Sequence, residues 1–244
     1  MSTKYNVAER FMRYVQIDTT ADPNSSTFPS SAKQRDLALI LHAELQKLGL
    51  QDVEMDEWSY VFATIPSNVP QPLPTICFCS HMDTAPDCSG TNVKPILHQN
   101  YTGAPITLPD DTNQVLLTEA HPYLLQKIGD DLITASGLTL LGADDKAGVT
   151  EIVTAMEYLI NNPHINRLEV YAVMRPQFAE ATSSIFVQHV TAGTMVGTGS
   201  FTLGENPLRW GPVKTVTAVP EISTGLSTAM GLLAMVGLSG LRRT

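Results

Sequence analysis

Residues 74–90 read Pro74-Thr75-Ile76-Cys77-Phe78-Cys79-Ser80-His81-Met82-Asp83-Thr84-Ala85-Pro86-Asp87-Cys88-Ser89-Gly90. An apolar, strand-forming run ends in Ser-His-Met-Asp and then breaks into a loop that holds proline and glycine. A strand over 76–80 alternates its side chains, so His81 and Asp83 leave it on one face. A short buried strand that hands a His and a carboxylate to a loop is a common foundation for a metal or catalytic site. The same residues also describe a plain strand end with a capping His and a turn Asp. What decides between the two stands some sixty residues downstream.

The rest of the chain sets the frame. Its 244 residues, 43% hydrophobic and 16% charged, suit one large soluble domain or a domain and a half. A net charge of −9 without any basic run argues against a nucleic-acid surface. Met1 to Lys4 lead into a polar, amphipathic segment rather than an apolar core, so no secretory leader is expected. Three cysteines are an odd number without zinc-finger spacing. Cys77 and Cys79 fall inside the predicted strand and read as buried or semi-buried free thiols of a reducing, cytoplasmic compartment.

Periodicity predicts a helix over 6–15, with Val7, Phe11, Met12 and Val15 on its apolar face. Residues 19–31 read as a Ser/Thr/Pro-rich loop. Ser31-Ala-Lys-Gln34 is a capping-box pattern, and the helix after it carries Leu37, Leu41, Leu45 and Leu48 on one stripe before Gly49 stops it. Residues 53–57 and 60–65 read as a strand pair, and the 76–80 strand follows. Residues 91–130 read mostly as connection, a length of loop that tends to be functional. A short strand over 131–134, a helix with Val149, Ile152, Val153, Met156 and Ile160 on its stripe, and a strand over 168–174 complete the order. Helices packed on a mixed sheet, an α/β fold, are the expectation.

The second motif lies at the start of that last helix: Leu140-Leu141-Gly142-Ala143-Asp144-Asp145-Lys146-Ala147-Gly148. A carboxylate at a helix N-terminus is stabilised as the anion by free amides and the dipole, and so remains a hard metal ligand. Asp144 could equally be an N-cap, the ordinary task of such an Asp.

Together the two motifs resemble peptidase T, the tripeptide aminopeptidase branch of the aminoacylase-like dizinc exopeptidases. The likeness runs from residue 5 to about 174 and includes Leu48-Gly49-Leu50, the stretch Ala63 to Pro70, and Asn100-Tyr101-Thr102-Gly103. The resemblance implies a catalytic-domain fold in which a mixed sheet is flanked by helices, and a site with two zinc ions. It implies that His81 binds the first zinc, that Asp83 is the catalytic carboxylate supporting that histidine, and that Asp144 bridges both metals. Asp145 and Lys146 belong to the motif without being ligands. The implied substrates are short peptides, tripeptides in the family, hydrolysed with release of the N-terminal residue.

The likeness stops after Met174. In the family the strand equivalent to 168–174 ends in Thr-Pro-Asp-Glu-Glu, whose first Glu is the general base and whose second binds the second zinc. Here Arg175-Pro176-Gln177-Phe178-Ala179-Glu180 follows. Every Asp lies before Arg175, the last being Asp145, so the later Asp ligand has no counterpart. Glu180 and His189 are not matches for the missing groups. Residues 1–174 carry −11 and 175–244 carry +2. The expectation is therefore a truncated catalytic domain over 1–174, without the lid domain, joined to an unmatched, low-charge Gly/Thr-rich tail over 175–244. A shifted reading frame or retained intron would produce such a tail. Residues 222–241 are uncharged and long enough for a membrane anchor, but their small-residue content and the arginines after them speak against it. The chain is expected to be inactive or severely impaired as a peptidase, with a non-catalytic product that acts by association as the alternative.

Overall fold

The computed structural model describes residues 7–73, 75–164 and 169–176. Four strands make the main sheet: β1 (Gln51–Met55), β2 (Val61–Ile65), β3 (Ile76–His81) and β8 (Val170–Arg175), in the order β1-β2-β8-β3. β2 runs antiparallel to β1 and to β8, while β3 runs parallel to β8, so the sheet is mixed as the sequence predicts. Three helices accompany it: α1 (Val7–Val15), α2 (Gln34–Lys47) and α3 (Ala143–Asn161).

The helical stripes meet one face of this sheet. Leu37, Leu41 and Leu45 of α2 join Val149, Val153 and Met156 of α3 in one cluster with Val61, Ala63 and Ile65 of β2 and Val170, Ala172 and Met174 of β8. Alternation along β2 and β8 sends the intervening residues to the other face, where Tyr60, Phe62 and Tyr171 stack in a row with ring centroids 6.2 Å apart. α1 rests on α3 and adds Phe11 and Val15 to a second cluster with Ile133, Leu141 and Ala147.

Several expectations need correction. The capping box at Ser31 does not form: Ser31 Oγ accepts from Lys33 N, and the Gln34 side chain turns to Ser30 Oγ instead. β3 is not a buried strand. Among the described residues it lies at the sheet edge, with Ile76 and Phe78 39% and 40% exposed, and Cys79 is likewise exposed, though all three cysteines are free. The 91–130 stretch is more than connection. β4 (Ile96–His98) pairs with β7 (Leu132–Thr134), β5 (Ile106–Thr107) pairs with β6 (Val115–Leu116), and a 3₁₀ turn spans Pro122–Lys127. Tyr101, Ile106, Leu124 and Leu132 close a small core of their own there. Strands expected within 186–190 and 213–219, and the candidate anchor at 222–241, lie outside the described residues. Among the described residues, no helix is long and apolar enough to cross a membrane.

Candidate active site

The two motifs converge at the C-terminal end of β3, the end at which open α/β sheets receive ligands. Ser80 and His81 close the strand, and the chain then passes through Met82 and Asp83. α3 brings its N-terminus alongside. Ser80 Oγ donates to Asp145 Oδ2 at 2.8 Å and lies 3.0 Å from the Asp145 carbonyl, which pins the strand end to the helix start.

Which of the paired carboxylates caps the helix is settled by geometry. Asp144 and Asp145 have non-helical backbone angles, so the regular helix begins at Lys146. Asp145 Oδ1 accepts from Gly148 N at 3.1 Å, the bond an N-cap makes to the third residue of its helix. Asp144 is thereby released from capping. Its side chain is 55% exposed, and its Oδ1 stands 3.0 Å from His81 Nε2. Gly142, with φ of 77°, makes the turn that places them, and a Cβ there would meet Thr84 Cγ2 at 2.9 Å.

His81 lies between two carboxylates. Nδ1 is 3.0 Å from Asp83 Oδ1 and 3.2 Å from the Asp83 carbonyl, on the side opposite Asp144. Burial alone would lower the imidazole pKa, but the hydrogen bonds to Asp144 and Asp83 outweigh it and push it up to about 10. The bond from His81 holds Asp144 below the usual carboxylate range, whereas burial raises Asp145. The neighbouring carboxylates thus differ in charge tendency because the bond from His81 outweighs burial at Asp144, while burial outweighs the opposing influences at Asp145. Burial also pulls Lys146 down to about 8, against the opposing influence of Asp18 and Asp83.

All three residues singled out in the sequence, His81, Asp83 and Asp144, are brought together. The arrangement is a carboxylate–imidazole–carboxylate line in which Asp83 fixes the ring through Nδ1 and leaves Nε2 to face Asp144. Such outer support of a metal-binding imidazole is a recurring device. The donor types, an imidazole nitrogen and a carboxylate oxygen, suit zinc. Their number does not reach a complete centre: among the described residues no group of three or more His, Cys, Asp or Glu side chains is placed to hold a metal ion. Arg175 stands in register with His81, so β8 delivers its last residues beside the site. That is where the sequence carries Arg-Pro-Gln in place of the carboxylates the resemblance calls for.

Asp145 and Lys146 were read from the sequence as members of the motif without being ligands, but what they do was not. The capping role of Asp145 could not be told from that of Asp144 by spacing alone. Lys146 had a signal: it precedes Val149 and Val153 by three and seven residues, which puts it on the buried stripe of α3.

A strand-end His and Asp facing a helix-start Asp thus form a carboxylate–imidazole–carboxylate site on an α/β fold. Comparison of the sequence with known proteins places it more narrowly. Over 170 residues it is 49% identical to peptidase T of Halothermothrix orenii, covering 70% of this chain and 42% of that protein. Peptidase T of an Exiguobacterium species is 54% identical over 157 residues, 64% of this chain and 38% of that one. Over these residues the chain is a relative of peptidase T, and it spans about two fifths of the length of the relatives it matches. No family model matches it. Among solved structures, the aminopeptidase PepT of Bacillus cereus aligns with a TM-score of 0.45 at 22% identity, covering 70% of this chain and 36% of that one. A tripeptidase of Staphylococcus aureus aligns with a TM-score of 0.43 at 25% identity, covering 70% and 37%. The family assignment rests on the sequence identities.

Proposed function

We propose that the chain carries the first half of a peptidase T-type active site, a centre for zinc-dependent release of the N-terminal residue from tripeptides. His81 and Asp144 are its cation ligands, and Asp83 is the carboxylate that orients His81. The observation that supports this most is the Asp83–His81–Asp144 line, with 3.0 Å on either side of the ring, within sequence 49% identical to a peptidase T. Zinc bound in such a site would polarise a peptide carbonyl and acidify a bound water. The residues of this chain do the preparatory work. Asp83 selects the ring orientation and tautomer, and Asp145, by capping the helix, leaves Asp144 to the cation.

Among the described residues two protein ligands fall short of the three that catalytic zinc sites generally supply, and Pro176-Gln177-Phe178-Ala179, directly after β8, include no carboxylate to accept a proton. The chain as written therefore binds zinc weakly and hydrolyses tripeptides negligibly. Calorimetric titration of the purified chain with zinc is expected to give heats that disappear in His81→Ala and Asp144→Ala. Wild-type heats unchanged by either substitution would sink the assignment. Chelator-sensitive tripeptide turnover would instead refute the inactivity.

A second reading has its own observation. Ile76 and Phe78 are exposed on edge strand β3, and such an edge favours pairing with another chain. In that case the protein acts by association rather than catalysis. Co-purification with a full-length peptidase T supports this reading, and a monomer that captures none counts against it.

A further inference from the structure

Lys146 is the one charged member of the Gly-Ala-Asp-Asp-Lys-Ala-Gly motif to which the chemistry above gives no part, and its burial is unusual for a lysine. It is 2% exposed, in a chain where lysines ordinarily keep their ammonium in water. Its Nζ donates to the carbonyl of Ile17 at 2.6 Å. Ile17 lies just past the C-terminus of α1, where Ile17 N bonds to Tyr14 O. The segment that starts there runs beside the chain leaving β3. Thr19 Oγ1 donates to the Met82 carbonyl at 2.7 Å. Thr84 N donates to the Thr19 carbonyl, Ala21 N donates to the Thr84 carbonyl, and Thr20 and Thr84 form a parallel bridge. Thr19, Met82, Asp83 and Thr84 are all buried.

The geometry points to Lys146 as a positioning residue of the His81–Asp144 pair. Residues 17–21 form a strap across Met82–Thr84, the segment that carries Asp83 and follows His81. The strap has backbone bonds to that segment at one end and the Lys146 ammonium at the other. Lys146 stands two residues beyond Asp144 and begins the regular part of α3. A single side chain therefore fixes the distance between the helix start that holds Asp144 and the strap that holds the His81 segment. Without it, the Ile17 carbonyl would lose its donor in a dry site, and the two halves of the pair would separate. Thr19, the strap residue bonded to Met82, is fully buried together with Met82 and Thr84, which stiffens the linkage at that point. The inference rests on the reading of His81 and Asp144 as the functional pair.

The test uses the full-length chain and the variant Lys146→Met, which keeps the apolar stem and removes the donor. Amide hydrogen exchange at Thr84 and Ala21 is expected to accelerate about tenfold relative to the amides that pair β2 with β8. The ¹⁵N resonances of the His81 ring are expected to move as its contact with Asp144 loosens. Zinc affinity, by calorimetry, is expected to fall about tenfold, the lower end of what losing outer support does. Thr154→Val, which disturbs a buried polar cluster away from the strap, should leave all three readouts in place. If Lys146→Met does not fold, Thr19→Val removes the hydroxyl bond to Met82 and carries the same expectation. Exchange and ring signals unchanged in a folded variant, or changed equally by Thr154→Val, overturn the proposal. A wild-type chain with no zinc affinity refutes the metal reading alone, because the exchange and ring signals still judge the strap.

Discussion

A carboxylate ahead of a helix's first turn is drawn to the free amides there, and Asp145 satisfies that pull through Gly148 N. Asp144, one residue earlier, is free to face His81 only because its neighbour has taken the cap. Substitution should separate the two duties. Asp145→Ala is expected to destabilise the fold by about 1 kcal/mol in urea denaturation, the usual loss for a cap. Asp144→Ala should leave the urea midpoint nearly unchanged while abolishing zinc heats. Equal losses of stability from both would mean that the capping assignment is wrong. Gly142 makes a sharper prediction at the same scale. Its φ of 77° lies in the left-handed region, and Thr84 Cγ2 occupies the space a Cβ needs. Gly142→Ala should therefore cost at least about 1–2 kcal/mol, the penalty of that conformation for a residue with a Cβ. A stability equal to wild type in chemical denaturation would show that the turn relaxes.

Helices α1, α2 and α3 are joined by one buried cation. Arg10 donates to Glu44 of α2 at 2.9 Å, and to Thr154 and Glu157 of α3, each at 2.7 Å. Tyr14 and Arg13 complete the set around Glu44. Removing one partner from such a cluster leaves the rest desolvated and unpaired, so Arg10→Ala is expected to lose about 3–5 kcal/mol. The cluster also sets an acid limit. Burial would raise the Glu44 pKa, but bonds from Tyr14 and Arg10 outweigh it and hold it below its ordinary 4.5. The folded chain then binds that proton less tightly than the unfolded one. Its contribution to stability is complete above about pH 4.5 and is lost as pH falls through the lower folded value. Glu44→Gln should flatten the acid side of a stability-against-pH curve, and an unchanged slope would remove Glu44 from this role. None of this network was visible in the sequence, because Arg10, Glu44 and Glu157 are separated by more than thirty residues and only packing unites them. The helices themselves were legible, since their leucine and valine stripes repeat at the helical period. So were His81, Asp83 and Asp144, whose spacing within two short motifs survives folding unchanged. The edge position of β3 was not, because an apolar run reads alike in a central strand and at an edge until its partners are known.

For the molecule as a whole, the position of β3 matters most. The strand that carries His81 pairs with β8 on one side, and among the described residues no strand occupies its other side. Ile76 and Phe78 are exposed there, on the face that β8 uses for Val170 and Ala172 in the core. Natural sheets guard such edges with charge, proline or bulges. Here Ile76 through Ser80 offers an uncharged run with strong strand character. The same strand must hold His81 in place, so self-association through its edge and integrity of the site are linked. The purified chain is expected to self-associate as its concentration rises, followed by light scattering behind size-exclusion chromatography. Ile76→Lys places a charge at the start of the edge, five residues from His81, and should shift the population towards monomer without changing the zinc heats. A wild-type chain that stays monomeric across the concentration series would show that this edge is protected. Association undiminished in Ile76→Lys would place the contact elsewhere on the molecule.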